Sequence, residues 1–172
     1  TLTNELKRYG IPVQGTDRLV LNQYLAVQDM IAFGRWLTLP EDDYALACIL
    51  RSPICGLSEQ DLFNLAYMRK DTLWAALQAK SADAHIAPIV TMLDHYLSKV
   101  DFIDPHQLFY QLLIKDKKMR QMSARLGSEA VGILHEFLEQ ALLYQSKQPA
   151  SMQGFIQFME QNHIEIKRNT AL

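Results

Sequence analysis

Cap and breaker residues cut this sequence into short stretches, and nearly every stretch repeats its apolar residues with a helical period. From Tyr24 the run Leu25, Val27, Met30, Ile31, Phe33, Trp36, Leu37 predicts a helix. Pro40 is expected to stop it and to open the next helix, with Glu41, Asp42 and Asp43 in an acid-favouring first turn. That second helix carries Tyr44, Leu46, Ala47, Ile49 and Leu50 and ends before Pro53. Gly56-Leu57-Ser58 reads as a turn, and Ser58 with Asp61 as a capping box in which Asp replaces the usual Glu or Gln. Asp71 is expected to cap a short helix holding Leu73, Trp74 and Leu77.

Further helices are predicted from Ile86 to Val100, after Asp104-Pro105-His106-Gln107, from about Lys117 to Leu126, after Ser128, and after Ser151. At the start, Leu2, Leu6 and Tyr9 close on Gly10 as a helix end. Ile11-Pro12-Val13 and Leu19-Val20-Leu21 read as two short strands of a sheet whose other strands are absent, with Leu19, Val20 and Leu21 left exposed. Only 7 Gly and 6 Pro in 172 residues argue against a many-stranded fold. The expected class is all-α: an irregular bundle of about nine or ten short helices, with two short strands near the N-terminus.

At 49% apolar and 21% charged residues the chain lies in the globular range. Lys plus Arg is 17 and Asp plus Glu is 19, a net charge of −2. A protein that wraps nucleic acid shows a basic excess, so any such contact here must be local. Two Cys, Cys48 and Cys55, make neither a disulfide framework nor a four-ligand zinc site. No apolar run approaches the ~20 residues that span a bilayer, so no membrane is expected as a partner. No signal peptide is visible, and the start at Thr1 rather than Met suggests a piece of a longer protein.

Catalytic signatures are missing. There is no G-x-x-x-x-G-K-[ST], G-x-G-x-x-G or G-x-S-x-G. His85, His95, His106, His135 and His163 lack metal-ligand spacing. Asp104 is better explained by capping than by metal binding with Asp101 and His106, and Glu41-Asp42-Asp43 by a helix first turn. Neither catalytic nor metal residues are expected in this chain.

Two features point to anions. In Arg51-Ser52-Pro53-Ile54-Cys55-Gly56-Leu57-Ser58 a helix ends, turns at Gly56 and restarts with free N–H groups, a geometry suited to phosphate. The candidates there are Arg51 and the backbone of Gly56, Leu57 and Ser58. The second is Lys115, Lys117, Lys118, Arg120 and Arg125, five basic residues against one acid, Asp116. Read plainly, the first is a helix–helix connection and the second a solvated helix face. Arg69-Lys70 and Lys167-Arg168 are weaker candidates.

The turn resembles the helix–turn–helix of the 2B subdomain in UvrD/Rep-type superfamily 1 DNA helicases. Their Asn/Thr/Ser-Pro-x-x-Gly-Ile-Gly element appears here as Ser52-Pro53-Ile54-Cys55-Gly56-Leu57-Ser58. Ser58 replaces the second Gly, and Cys55 stands where a basic residue is common. Gln23–Asp29, Glu41–Leu46, Arg8-Tyr9-Gly10-Ile11-Pro12-Val13, Ser151–Phe155 and Glu165–Arg168 resemble other family segments. Within the family the pattern is most similar to the A subunit of AddAB (RecB-like) helicase–nucleases, including Arg18–Leu21, Leu39–Asp43 and Ser58-Glu59-Gln60-Asp61-Leu62-Phe63.

The resemblance implies a fragment of a bacterial, cytoplasmic, ATP-dependent DNA helicase and exonuclease of double-strand break repair and recombination. Residues 1–21 would be the edge of the second motor domain and 22–172 the accessory helical subdomain. ATP and Mg²⁺ would bind the parent protein outside this chain. The implied partners are double-stranded DNA through its phosphates, the motor domains, and an AddB-like subunit. The fragment would orient duplex DNA and brace the motor. The alternative is a helical scaffold that contacts the partner subunit without touching DNA; an independent helical enzyme is disfavoured by the missing motifs.

Overall fold

A computed structural model describes residues 18–167. The predicted first helix, the strand Ile11–Val13, the Arg8–Val13 motif and Arg168 lie outside the described residues. Within them the fold is mainly α, with nine α-helices: α1 Leu25–Thr38, α2 Asp43–Arg51, α3 Glu59–Ala66, α4 Leu73–Ala79, α5 Ala87–Lys99, α6 Pro105–Tyr110, α7 Lys118–Leu126, α8 Glu129–Lys147 and α9 Met152–Gln161.

α1 is the centre. Ala26, Val27, Met30, Ile31, Ala32, Phe33, Gly34, Trp36 and Leu37 are all buried, so the helix is covered on most of its circumference. It packs against α2, α7, α8 and α9. Gly34 lets α9 come close: a Cβ there would stand 2.4 Å from Ile156 Cδ1.

A chain of rings ties the layers together. Phe33 of α1 meets Tyr96 of α5 edge-on at 5.6 Å, and Phe109 of α6 at 6.4 Å. Phe109 meets Phe137 of α8 at 4.9 Å, and Phe137 meets Phe155 of α9 at 5.4 Å. Trp36 and Trp74 join α1 to α4, edge-on at 5.0 Å.

The two ends of the described chain meet. β1, Arg18–Val20, pairs antiparallel with β2, Glu165–Lys167, in the register Leu19 opposite Ile166. The expected strand at Leu19–Leu21 is shifted: Leu21 begins a 3₁₀ turn. Leu21 is not exposed but fully buried, with its amide on the Ile164 carbonyl at 2.7 Å. The second strand comes from the far end of the sequence, so local patterning did not indicate the pairing.

Caps set most boundaries. Ser58 and Asp61 form the capping box, Asp104 accepts from the Gln107 amide, and Ser151 accepts from the Gly154 amide. Three expected starts are corrected. α2 begins at Asp43 rather than Pro40, because Asp42 caps it and the Pro40 carbonyl accepts the Trp36 indole N–H. Thr72, not Asp71, caps α4, while Asp71 accepts the Thr72 amide. Ser128 makes no side-chain cap and already has helical dihedrals. Between α6 and α7 the chain widens into a π turn, Gln111–Lys115. No helix of the described residues is long and apolar enough to cross a membrane.

Phe109 is fully buried and touches three other rings. Phe109→Ala should cost about 3–5 kcal/mol in urea unfolding, with little change in slope. A loss below about 1 kcal/mol would place the core elsewhere.

Candidate nucleic-acid interface

α2 ends at Arg51, and buried Ser52 builds the turn that follows. Its hydroxyl donates to the Ile49 carbonyl at 2.6 Å and accepts from the Ile54 amide at 3.2 Å. The Ser52 carbonyl accepts the Gly56 amide at 2.7 Å. Gly56 takes φ +69°, a left-handed conformation that glycine adopts without a Cβ penalty. Leu57 then drops into the core, its amide on the Leu50 carbonyl at 2.9 Å, and the Ser58 amide donates to Asp61 Oδ2 at 3.0 Å.

The amides of Gly56, Leu57 and Ser58 are therefore engaged within the turn as folded. Glu59 and Asp61 also occupy the positive end of α3. Bonds from the Ser58 amide and hydroxyl hold the Asp61 carboxyl below its usual range. Arg51 spans the turn to Glu59, Nη1 to Oε1 at 3.0 Å, and its buried Nε has no partner. What this corner offers an anion is thus side-chain charge rather than an open backbone cradle.

That charge comes mostly from α7. Buried Met119 and Met122 anchor the helix, and Lys117, Arg120 and Arg125 are exposed beside them. Lys117 precedes α7 at φ +60°, an uncommon conformation for a residue with a Cβ. Lys118 and Arg125, seven residues apart, share a helix face. Arg125 Nη1 donates to the Arg51 carbonyl at 3.0 Å, across 74 residues of sequence, and so satisfies the end of α2. Lys118 lies close enough to Cys55 for its charge to oppose the burial that pushes that thiol up to about 12. Cys55 is accordingly a neutral thiol at ordinary pH.

The fold thus brings the two sequence candidates together at one corner through Lys118 and Arg125. Lys117 and Arg120 face a second cleft with Ile114 and Val131, and Lys115 is exposed on the π turn. Among the described residues Lys115, Lys117 and Arg120 have no ion-pair partner. The weaker pair is not equally free: Arg69 binds Asp43 at 2.6 Å. Asp43 also accepts the Leu73 amide, and these contacts hold its carboxyl low. Lys167 lies in β2.

Two groups escaped the sequence reading. Asp29, half-buried on α1, is raised to about 7 by burial, with Arg125 pulling it down. Its signal was available: Asp29 and Arg35 are the only charges in α1. The other is Tyr96, whose hydroxyl donates to the Asp116 carboxylate. No group of three or more His, Cys, Asp or Glu among the described residues is placed to hold a metal.

No protein-family model matches the chain. Stretches of it are similar to proteins named as the A subunit of an ATP-dependent helicase/nuclease. With that of Levilactobacillus brevis it is 41% identical over 61 residues, 36% of this chain and 5% of that protein. With those of Pediococcus pentosaceus and Streptococcus agalactiae serotype III it is 30% identical over 108 and 115 residues, covering 58% and 59% of this chain and 9% of each relative. These stretches relate the chain to part of a helicase/nuclease A subunit. It spans less than a tenth of the length of these curated relatives.

Asp29 gives this corner a pH signature. Its carboxyl rises from 3.8 to about 7 on folding, so the native state holds the extra proton between those values. Stability should therefore fall as pH rises from about 4 to about 7. Asp29→Asn should stabilise the chain at pH 8 by on the order of 1–2 kcal/mol, discounted for partial exposure, and the gain should vanish near pH 4. Thermal melts across pH check this; a pH-independent gain would contradict it.

Proposed function

We propose that this chain is the accessory helical part of an ATP-dependent DNA helicase/nuclease, in which it orients duplex DNA by its phosphates and braces the motor. The observation that carries the reading is the convergence of α7 on the Ser52–Ser58 turn, where Arg51, Lys118 and Arg125 meet. Lys117 and Arg120 carry further charge on a neighbouring face of α7, at the second cleft, and Lys115 carries it on the π turn, in a chain whose net charge is −2. Phosphate contacts are sequence-independent, which suits a part that holds DNA of any sequence. The similarity to proteins named as helicase/nuclease A subunits supports the same reading.

In this reading residues 22–172 form the accessory subdomain and 1–21 the edge of a motor domain. The pairing of β1 with β2 supports it, because entry and exit of the helical body lie side by side, as an insertion requires. The parent protein would act in double-strand break repair in the bacterial cytoplasm, beside an AddB-like partner. ATP and Mg²⁺ would be held by motor domains outside this chain, and no catalytic step is assigned to residues here. The amides of Gly56, Leu57 and Ser58 join the site only if DNA opens their internal bonds.

A second reading is favoured by a specific surface. Phe63 and Tyr67 stack at 5.2 Å and are 56% and 64% exposed, and Met68 beside them is 80% exposed. Such a patch suits a protein contact, so the chain would brace the partner subunit without touching DNA.

Anisotropy of a 20-base-pair duplex titrated with the 172-residue chain separates the two. With about four phosphate contacts, raising salt fourfold should weaken binding on the order of 100-fold. Lys117→Glu with Lys118→Glu should lower affinity at least about tenfold for any sequence and flatten the salt slope by roughly two. Absence of binding, or binding indifferent to salt and to both reversals, would favour the brace.

A further inference from the structure

The basic run from Lys115 to Arg125 contains a single acid, Asp116. Its neighbours Lys115 and Lys117, and Lys118 one residue on, are the cations nearest to it in sequence, yet Asp116 enters no ion pair among those of the described residues. It is held elsewhere. The Tyr96 hydroxyl donates to its carboxylate, and the Tyr96 ring is fully buried, edge-on to Phe33. The backbone sets the same arrangement. The Asp116 amide closes the π turn on the Gln111 carbonyl at 2.8 Å, and Lys117 follows in the left-handed region at φ +60°. Backbone conformations this uncommon persist only where surrounding contacts fix them.

We propose that Tyr96 is a positioning residue for polyanion binding: it ties the carboxylate of Asp116 to α5 and thereby keeps Lys115, Lys117 and Lys118 unpaired for phosphate. This rests on the reading of α7 as a phosphate contact. Burial and the Asp116 contact both raise the Tyr96 phenol above its ordinary range, so it remains a donor at working pH. Without the hydroxyl, Asp116 is an exposed carboxylate free to swing onto a neighbouring ammonium group. A surface pair of that kind is weak, so the effect is a moderate loss of affinity rather than its abolition.

The test is a double-mutant cycle on the full 172-residue chain, using a 20-base-pair duplex at low salt. Tyr96→Phe should weaken binding about two- to threefold, with little change in the thermal midpoint. Asp116→Asn should tighten binding, and Tyr96→Phe should have no further effect in the Asp116→Asn background. Unchanged affinity in Tyr96→Phe overturns the proposal, as does an equal loss with Asp116→Asn present. If the unaltered chain binds no duplex, the phosphate reading falls and this proposal with it. A measurement independent of that variant's folding is the Tyr96 hydroxyl proton in NMR spectra of the unaltered chain. It should exchange slowly and disappear from the spectrum of Asp116→Ala, which removes the acceptor; a fast-exchanging proton in both contradicts the tie.

Discussion

The structure hangs on the burial of α1. A helix covered on most of its surface needs partners on several sides, and α2, α7, α8 and α9 supply them. Gly34 sets how closely α9 can approach, and Phe33 and Trp36 hand the packing outward through rings on α5, α6 and α4. A charge in such a helix is expensive unless water or a partner reaches it. Arg35 pairs with Glu160 of α9, and burial raises the Asp29 carboxyl to about 7 against the opposing pull of Arg125. The core therefore fixes one edge of the basic surface, through Arg125.

From that edge the packing runs outward to α7. Two buried methionines hold the helix down, which leaves its cations on the solvent side. Arg125 then joins α7 to the end of α2, which holds the basic helix beside the Ser52–Ser58 turn. The proposed anion-binding role is compatible with a near-neutral net charge because cations are concentrated on this helix, while several acids, such as Asp42, Asp61 and Asp104, serve as caps at helix starts.

Much of the fold was legible because caps and breakers are local chemistry. Ser58 with Asp61, Asp104 before Pro105, Gly127 after α7 and Ser151 before α9 each act where their residue types predict. The errors came where two local signals competed. Pro40 suited a first helical position, but Asp42 nearby is the better cap and Trp36 claims the Pro40 carbonyl. Pairing of β1 with β2 was hidden because it joins opposite ends of the described chain. The site shows the same division. The basic run was visible as charge density, while its contact with the turn depends on a bond across 74 residues. The Gly56-Leu57-Ser58 amides looked free in sequence, but bonds to Ser52, Leu50 and Asp61 engage them.

The central claim is that one corner, built from α7 and the turn after α2, meets the phosphates of duplex DNA. Backbone amide shifts of the 172-residue chain, followed as duplex is added, test it most directly. The largest changes should fall together on Lys115–Arg125 and on Arg51–Ser58, and should fade as salt is raised. Changes confined to the Phe63–Lys70 surface, or none at all, would contradict the account.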